Sequence, residues 1–272
     1  MDIAEVLAAF DEQLRRNPKM GPGITVERDE QVTRILDEAA DWSGVIWSDL
    51  TEDTADAVIA AQVARLGRDC VGGDCVGAGW EWKHYSYDQP ADLPARLLAA
   101  GFVPEPPETL LVAEIAELDL RTPPPVGIDL VPVTGRAGAD AMVAVHDEVF
   151  GGSGQRIADV VLGGIADQPP SVAAVIAMAG QTPVSAGRVE FPPGGDFASI
   201  WSGGTLPAWR GRGIFRSLVA HRAALAADRG YRYLQVDALP DSRPILRRLG
   251  FAELATTTPY LYQAVITPAA GH

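Results

Sequence analysis

The spacing of apolar residues in the last third of the chain changes period several times within a short stretch. Phe197 to Leu206 is a mostly apolar and small run of strand length. From Ile214 to Arg229 the apolar positions Ile214, Leu218, Val219, Ala223, Leu225 and Ala226 fall near the helical period. Gly230 then supplies a helix stop. Tyr231 to Asp237 alternates, with Tyr231, Tyr233 and Gln235 on one side and Leu234 and Val236 on the other, which predicts a strand. Asp241 to Phe251 reads as a short helix, with a cap at Ser242, Pro244 in its first turn and Gly250 at its end. Upstream, the pattern predicts a strand at Ile128 to Val133 and helices at Gly138 to Val149 and Arg156 to Ile165. Strands follow at Val172 to Met178 and Pro183 to Phe191, bounded by turns at Gly180-Gln181 and Pro193-Gly194-Gly195. The expected fold class is α/β, a mixed domain around one central sheet.

The first half repeats part of this order. After an amphipathic helix carrying Ile3, Val6, Leu7, Phe10 and Leu14, an aromatic strand spans Gly79 to Tyr85. A short helix runs from Pro90 to a Gly101-Phe102 ending, and a strand covers Thr109 to Ala113. The same sequence of elements closes the chain at Tyr231 to Asp237, Ser242 to Phe251 and Tyr260 to Val265. This points to a tandem arrangement whose first half is a worn copy; the alternative is chance, because helix, Gly-Phe and strand is common punctuation. Pro123-Pro124-Pro125 makes a stiff connection, so the expected division is 1–120, a linker at 121–127, and 128–272.

The chemistry concentrates where the strand ending at Leu206 meets the helix starting at Ile214. Pro207-Ala208-Trp209-Arg210-Gly211-Arg212-Gly213-Ile214-Phe215-Arg216 joins them. A helix N-terminus presents unpaired N–H groups and the positive end of its dipole, which suits a phosphate. Glycine lets a ligand approach the backbone closely, and arginine forks match phosphate oxygens. No Walker loop is present, and the dinucleotide fingerprint fails at Arg216, where its third glycine belongs. The competing reading is a solvated basic turn whose glycines serve only the bend.

The order of strand, Arg-Gly-x-Gly turn, helix, strand and a short helix ending Leu249-Gly250-Phe251 resembles the GCN5-related N-acetyltransferase (GNAT) superfamily. The matching pieces are Thr205-Leu206-Pro207, Trp209 to Ile214 and Ile245 to Phe251. The resemblance implies a GNAT-like fold, and acetyl-CoA as co-substrate with its pyrophosphate on the amides of the turn. The cofactor-binding residues it implies are Thr205, Leu206, Arg210, Gly211, Arg212, Gly213, Ile214, Phe215 and Arg216. In the family the strand before the turn splays from its neighbour and offers backbone groups to the pantetheine; Thr205 and Leu206 occupy that place. Phe215 departs from the family's Gly or Ala. Leu246 stands where the family carries a tyrosine that protonates the leaving thiolate, and leucine cannot do so. The implied activity is acetyl transfer to the amine of a small molecule by direct attack on the thioester. The candidates for proton handling are Asp237, Ser242 and Glu190, each with a plainer reading as a strand-end or helix-capping group. The departures at Phe215 and Leu246 also suit a CoA-binding sensor or regulatory module without turnover.

Composition narrows the partners. The 272 residues, 47% hydrophobic, suffice for a large core and two domains. A net charge of -14 opposes nucleic acid or an anionic membrane as partner and suits an amine-bearing substrate. The acidic residues Asp2, Glu5, Asp11 and Glu12 rule out a secretory h-region, and no apolar run is long enough to span a membrane, so a cytoplasmic protein is expected. There Cys70 and Cys75 are expected as reduced thiols, without ligands for a metal. Among the histidines, His84 is a candidate for a cleft between the halves, His146 for helix packing or surface, and His221 for solvent.

Overall fold

The computed structural model describes residues 1–37, 42–69, 79–152 and 154–262. The N-terminal amphipathic pattern forms helix α1 (Ile3–Phe10), capped by Asp2, and continues as a wider π-turned segment, Asp11–Arg16. There follow β1 (Ile24–Arg28), β2 (Val32–Asp37), β3 (Trp42–Ser48), α2 (Ala55–Asp69), β4 (Gly79–Tyr85), α3 (Leu93–Ala99), the two-residue β5 (Val103–Pro104) and β6 (Glu108–Glu114). After the proline connection come β7 (Asp129–Pro132), α4 (Arg136–Phe150), α5 (Gln155–Ala166), β8 (Val172–Ala179), β9 (Thr182–Glu190) and β10 (Phe197–Thr205). The chain then forms α6 (Ile214–Asp228), β11 (Tyr233–Ala238), α7 (Arg243–Arg248) and β12 (Ala252–Tyr262). The final strand begins well before the expected Tyr260, and the expected extension to Val265 lies outside the described residues. So do Cys70 and Cys75.

Among the described residues all strands join one 12-stranded mixed sheet in the order β1-β2-β3-β4-β12-β6-β11-β10-β9-β8-β7, with β5 beside β12. The order places the closing strand of each half inside the other. β6 pairs antiparallel with β11, and β12 pairs antiparallel with β4. The two exchanged strands pair with each other in the middle. Within each half, two strands run parallel beside one another, β3 with β4 and β10 with β11.

Alternation on these strands gives the sheet two covered faces. Leu111, Ala113, Ile200 and Leu234 pack with Val219 and Ala223 of α6 and with Leu246 of α7. Val45, Trp80 and Trp82 pack with Ile59 of α2 and with Leu93 and Leu97 of α3. On the opposite face, α1 lays Val6 and Phe10 across Tyr85, Leu110, Val112, Phe197 and Tyr233, residues drawn from both halves. Gln13 reinforces this bridge by exchanging two hydrogen bonds, of 2.7 and 2.8 Å, with Asp196 before β10. Helices α4 and α5 cover Ala174, Ile176 and Ala186.

Candidate active site

β10 and β11 are paired only from Phe197↔Tyr233 to Ser199↔Gln235. Beyond that register, β10 continues to Thr205 and β11 to Ala238 with no pairing between them, so a split opens at their carboxyl ends. β10 also bulges between Trp201 and Gly204, and Ser202 adopts φ 51, a left-handed conformation costly for a non-glycine residue. Arg188 Nη1 donates to Ser202 Oγ at 2.5 Å and holds it there. On the other face, Arg222 of α6 reaches under the bulge and donates to the carbonyls of Arg188 and Trp201 at 3.2 and 3.5 Å. Gly187 and Gly203 make room for that guanidinium; a Cβ at Gly187 would lie 2.7 Å from it. Burial, with a smaller push from Arg188, brings Arg222 down to about 9.

The turn leaves β10 at Thr205, passes a short 3-10 segment at Pro207–Trp209 and enters α6 at Ile214. Gly211 and Gly213 take φ 75 and φ 85, conformations that disfavour any side chain. A Cβ at Gly211 would meet nothing within 4 Å, so the space above the turn is open. Arg210 N–H is donated to Pro207 O at 3.3 Å; among the described residues the amides of 211–216 find no backbone acceptor outside the helix, and the next held amide is Ser217, which donates to Gly213 O at 3.2 Å. Arg210 is tied to Thr205 O at 3.1 Å, Arg212 to Ala208 O at 3.0 Å, and Arg212 also lies over the Trp209 ring. Arg216 is exposed at the helix start. Open space, free amides and three cations fit an anionic diphosphate. Leu206 N–H is already donated to Val184 O at 2.9 Å, and Thr205 Oγ1 lies 2.7 Å from Ser185 Oγ. The β10 residues without a strand partner toward β11 therefore begin earlier, at Ile200.

Phe215 packs against the bulge: a Cβ at Gly203 would lie 3.2 Å from its ring. The large residue in the turn is thus matched by a glycine on the strand it faces. Leu246 is buried in the core with Phe251 and Leu234.

The proposed proton-handling residues fall in different places. Tyr233, Gln235 and Asp237 share the face turned toward α1, as alternation predicts. The Asp237 side chain is only 4% exposed; its Oδ2 accepts from Lys83 Nζ at 2.8 Å, and its Oδ1 is buried without a partner. Lys83 also donates to Glu108 Oε2 at 3.2 Å. Burial raises the Glu108 carboxyl against the pull of Lys83, and Lys83 is held well above its usual value by Asp237, Tyr85, Glu108 and Glu81 despite its burial. Glu190 sits on β9 opposite Ser199 and accepts from Arg188 Nε at 2.7 Å. Ser242 occupies the cap position of α7, but its hydroxyl donates back to Leu239 O at 3.1 Å and makes no cap hydrogen bond, which corrects the expected capping role. His84 alternates away from Lys83 and meets Tyr260 edge-on. His221 is half-buried rather than facing solvent, and burial lowers it.

The split strands, bulge and open glycine turn coincide with a family model: residues 141–251 match the Acetyltransferase (GNAT) family. Residues 141–251 thus carry a GNAT-type acetyltransferase domain, that of an acyl-CoA-dependent acyltransferase. A GCN5-related N-acetyltransferase from Kribbella flavida has a similar fold, with a TM-score of 0.65 at 15% identity, covering 95% of this chain and 93% of that one. A GCN5-related N-acetyltransferase from Sphaerobacter thermophilus gives 0.57 at 15% identity, over 95% and 84% of the two chains. A tandem GNAT protein from the clavulanic acid biosynthesis pathway gives 0.59 at 13% identity, over 96% and 94%. At these identities the likeness is one of fold. No curated protein sequence matches the chain.

Lys83, Glu108, Arg188 and Arg222 were not among the sequence candidates. A lysine between Trp82 and His84 on an otherwise aromatic strand was the available signal for the first. Glu108 directly precedes an apolar strand and gave none.

Proposed function

We propose that the chain is an acetyl-CoA-dependent N-acetyltransferase acting on the amine of a small molecule. The observation that carries this reading is the open turn at 210–216, with two left-handed glycines and free amides at the head of α6, leading directly from the split between β10 and β11. The turn holds the diphosphate, with Arg210, Arg212 and Arg216 adding positive charge to an acidic protein. The pantetheine runs into the split, and the thioester lies near the bulge at Trp201 to Gly204. The acceptor comes from the face that carries Glu190, Asp237 and Glu108, whose carboxylates suit a cationic amine. Its nitrogen attacks the thioester carbonyl directly, and thiolate leaves.

Leu246 bears on the exit step. A core leucine donates no proton, so the thiolate, whose parent thiol has a pKa of about 8.5, leaves unprotonated or takes a proton from water. This same residue favours one rival: a module that binds acetyl-CoA without turnover. Free thiol release from acetyl-CoA, measured over a panel of primary amines, separates the two. Amine-dependent release supports the transferase; acetyl-CoA binding by calorimetry with no release from any amine supports the sensor.

A further inference from the structure

The exchange of closing strands carries side chains from residues 1–120 into the acceptor face of the other half. Lys83 of β4 and Asp237 of β11 are 154 residues apart in the chain, yet they form an ion pair. Glu108 on β6 completes the cluster. Its members are graded in exposure: Asp237 at 4%, Lys83 at 13% and Glu108 at 22%. The register explains the gradient. Asp237 pairs with Leu110 and Ala238 with Thr109, so Glu108 lies one residue past the paired end of β11, toward the side on which the split opens.

We propose that Glu108, supplied by the half that lacks the phosphate turn, is the catalytic base for the acceptor amine, and that Lys83 and Asp237 position it. This rests on the N-acetyltransferase reading above. Asp237 is unsuited to direct contact: one oxygen is engaged by Lys83 and the other is buried. Glu190 is engaged by Arg188 and sits opposite Ser199, in the part of β10 still paired with β11. Glu108 is the most open member of the cluster, and Lys83 reaches only one of its oxygens within hydrogen-bond distance. The charged and titratable groups around it are Lys83 and Glu81 of β4 and Asp237 of β11, while β12 places the uncharged Thr257 opposite it. Desolvation raises its pKa toward the range in which a carboxylate is an effective base.

In the step the acceptor reacts as the neutral amine, having released its ammonium proton to solvent, and one proton passes from its nitrogen to a Glu108 oxygen. The nitrogen lone pair forms the bond to the acetyl carbonyl carbon. The carbon–sulfur bond breaks, and sulfur leaves with the electron pair as CoA thiolate. The proton on Glu108 then passes to the thiolate or to water, which restores the carboxylate.

The test compares Glu108→Gln, Lys83→Met and Asp237→Asn with the unaltered chain. Thiol release is followed across pH at saturating acetyl-CoA, using a diamine, an amino acid, an aminoglycoside and an arylalkylamine as acceptors. Acetyl-CoA affinity is measured by calorimetry on the same preparations. Glu108→Gln is expected to lower kcat at least ~10²-fold with unchanged acetyl-CoA affinity. Lys83→Met is expected to keep measurable turnover and move the acidic limb of the kcat/KM profile to higher pH, because the carboxylate loses its cation; a merely structural role leaves that limb in place. A near-normal rate in Glu108→Gln, with the large loss in Asp237→Asn instead, overturns the assignment and leaves the reaction class standing. Absence of release from the unaltered chain with every amine overturns the reaction class, and the assignment with it.

Discussion

The two halves build the same junction and fill it with opposite chemistry. In each, two parallel strands pair briefly and then part, after Val45↔Trp82 in the first half and after Ser199↔Gln235 in the second. In each, the strand on the far side of the split leads into a 15-residue helix. In the second half the connection carries Arg210, Gly211, Arg212, Gly213 and Arg216. In the first it reads Asp49-Leu50-Thr51-Glu52-Asp53-Thr54 and continues into Asp56, acidic and without glycine. Thr51 satisfies the amides of Thr54 and Ala55 at 3.2 and 3.0 Å, and Thr54 Oγ1 accepts from Thr51 N–H at 3.0 Å. The carboxylates of such a turn repel a phosphate's charge.

The splits differ as well. Arg15 enters the first one: it donates to Ile46 O at 2.9 Å, pairs with Asp88 through two contacts of 2.8 and 3.0 Å, and stacks over the Tyr85 ring. Ile46 is the first residue of β3 past the last pair, the counterpart of Ile200 on β10. The side chain of the chain's own N-terminal segment thus occupies the position that the second half leaves open. Asp56 and Arg96 also bridge α2 and α3 at 3.0 Å across the surface. The strand-turn-helix scaffold is common to both halves, and a handful of side chains separates the filled split and acidic turn from the open split and basic one.

The comparison breaks most severely if the halves are separated. Residues 122–272 expressed alone lose β6 from between β11 and β12, so we expect no cooperative unfolding transition and no acetyl-CoA binding, as read by circular dichroism and calorimetry. A folded, active monomer would show that the exchanged strand is dispensable.

Arg15→Met keeps bulk in the first split but leaves Asp88 as an uncompensated buried charge. The expected cost is about 3–5 kcal/mol in urea unfolding at neutral pH, with acetyl-CoA affinity in the second half unchanged. Burial already raises Asp88 against the pull of Arg15, so removal of Arg15 raises it further. The native state then binds a proton that the unfolded chain releases, and the variant should regain stability as pH falls through that raised value. Constant stability on acidification argues against a sealing ion pair.

Gly213→Val acts on the other half. A β-branched residue at φ 85 is strained by about 1–3 kcal/mol and puts a side chain into the open cradle. Acetyl-CoA affinity should fall by roughly 10²-fold, while the unfolding midpoint moves by a few degrees. Unchanged affinity removes the turn from the binding site.

The smallest effect concerns His84. Burial lowers its pKa, so the neutral ring is favoured in the native state. The unfolded chain binds the extra proton first, and the stabilisation present above about pH 6.5 is lost as pH falls through the depressed value. His84→Phe should flatten that part of the stability profile; His221, lowered in the same way in the second half, leaves the remainder.

Much of the second half was legible as sequence because its signals are local. Gly213 before an apolar helical period, Gly250 before Phe251, and the alternation of Tyr233 to Val236 each depend on a few neighbouring residues, and each fell where expected. The elements between Ile24 and Ser48 were not singled out: β1 carries Thr25, Glu27 and Arg28 among its five residues, and its pattern is weak. Asp237 was singled out for its place near a strand end, and it lies there, but its partner Lys83 was invisible because no local pattern reports an ion pair across exchanged strands.

The sequence by itself determined the periods of the main helices and strands, the glycine turn with its arginines, and the acidic charge of the whole, because these rest on backbone preference and local order. The tertiary structure alone decided that each half closes with the other's strand, that Arg15 fills one split while the second stays open, and that Lys83 and Glu108 stand beside Asp237. Those outcomes depend on which edges find one another once the sheet forms, and strand edges carry no sequence mark of their partner, since backbone hydrogen bonds are the same for every residue but proline.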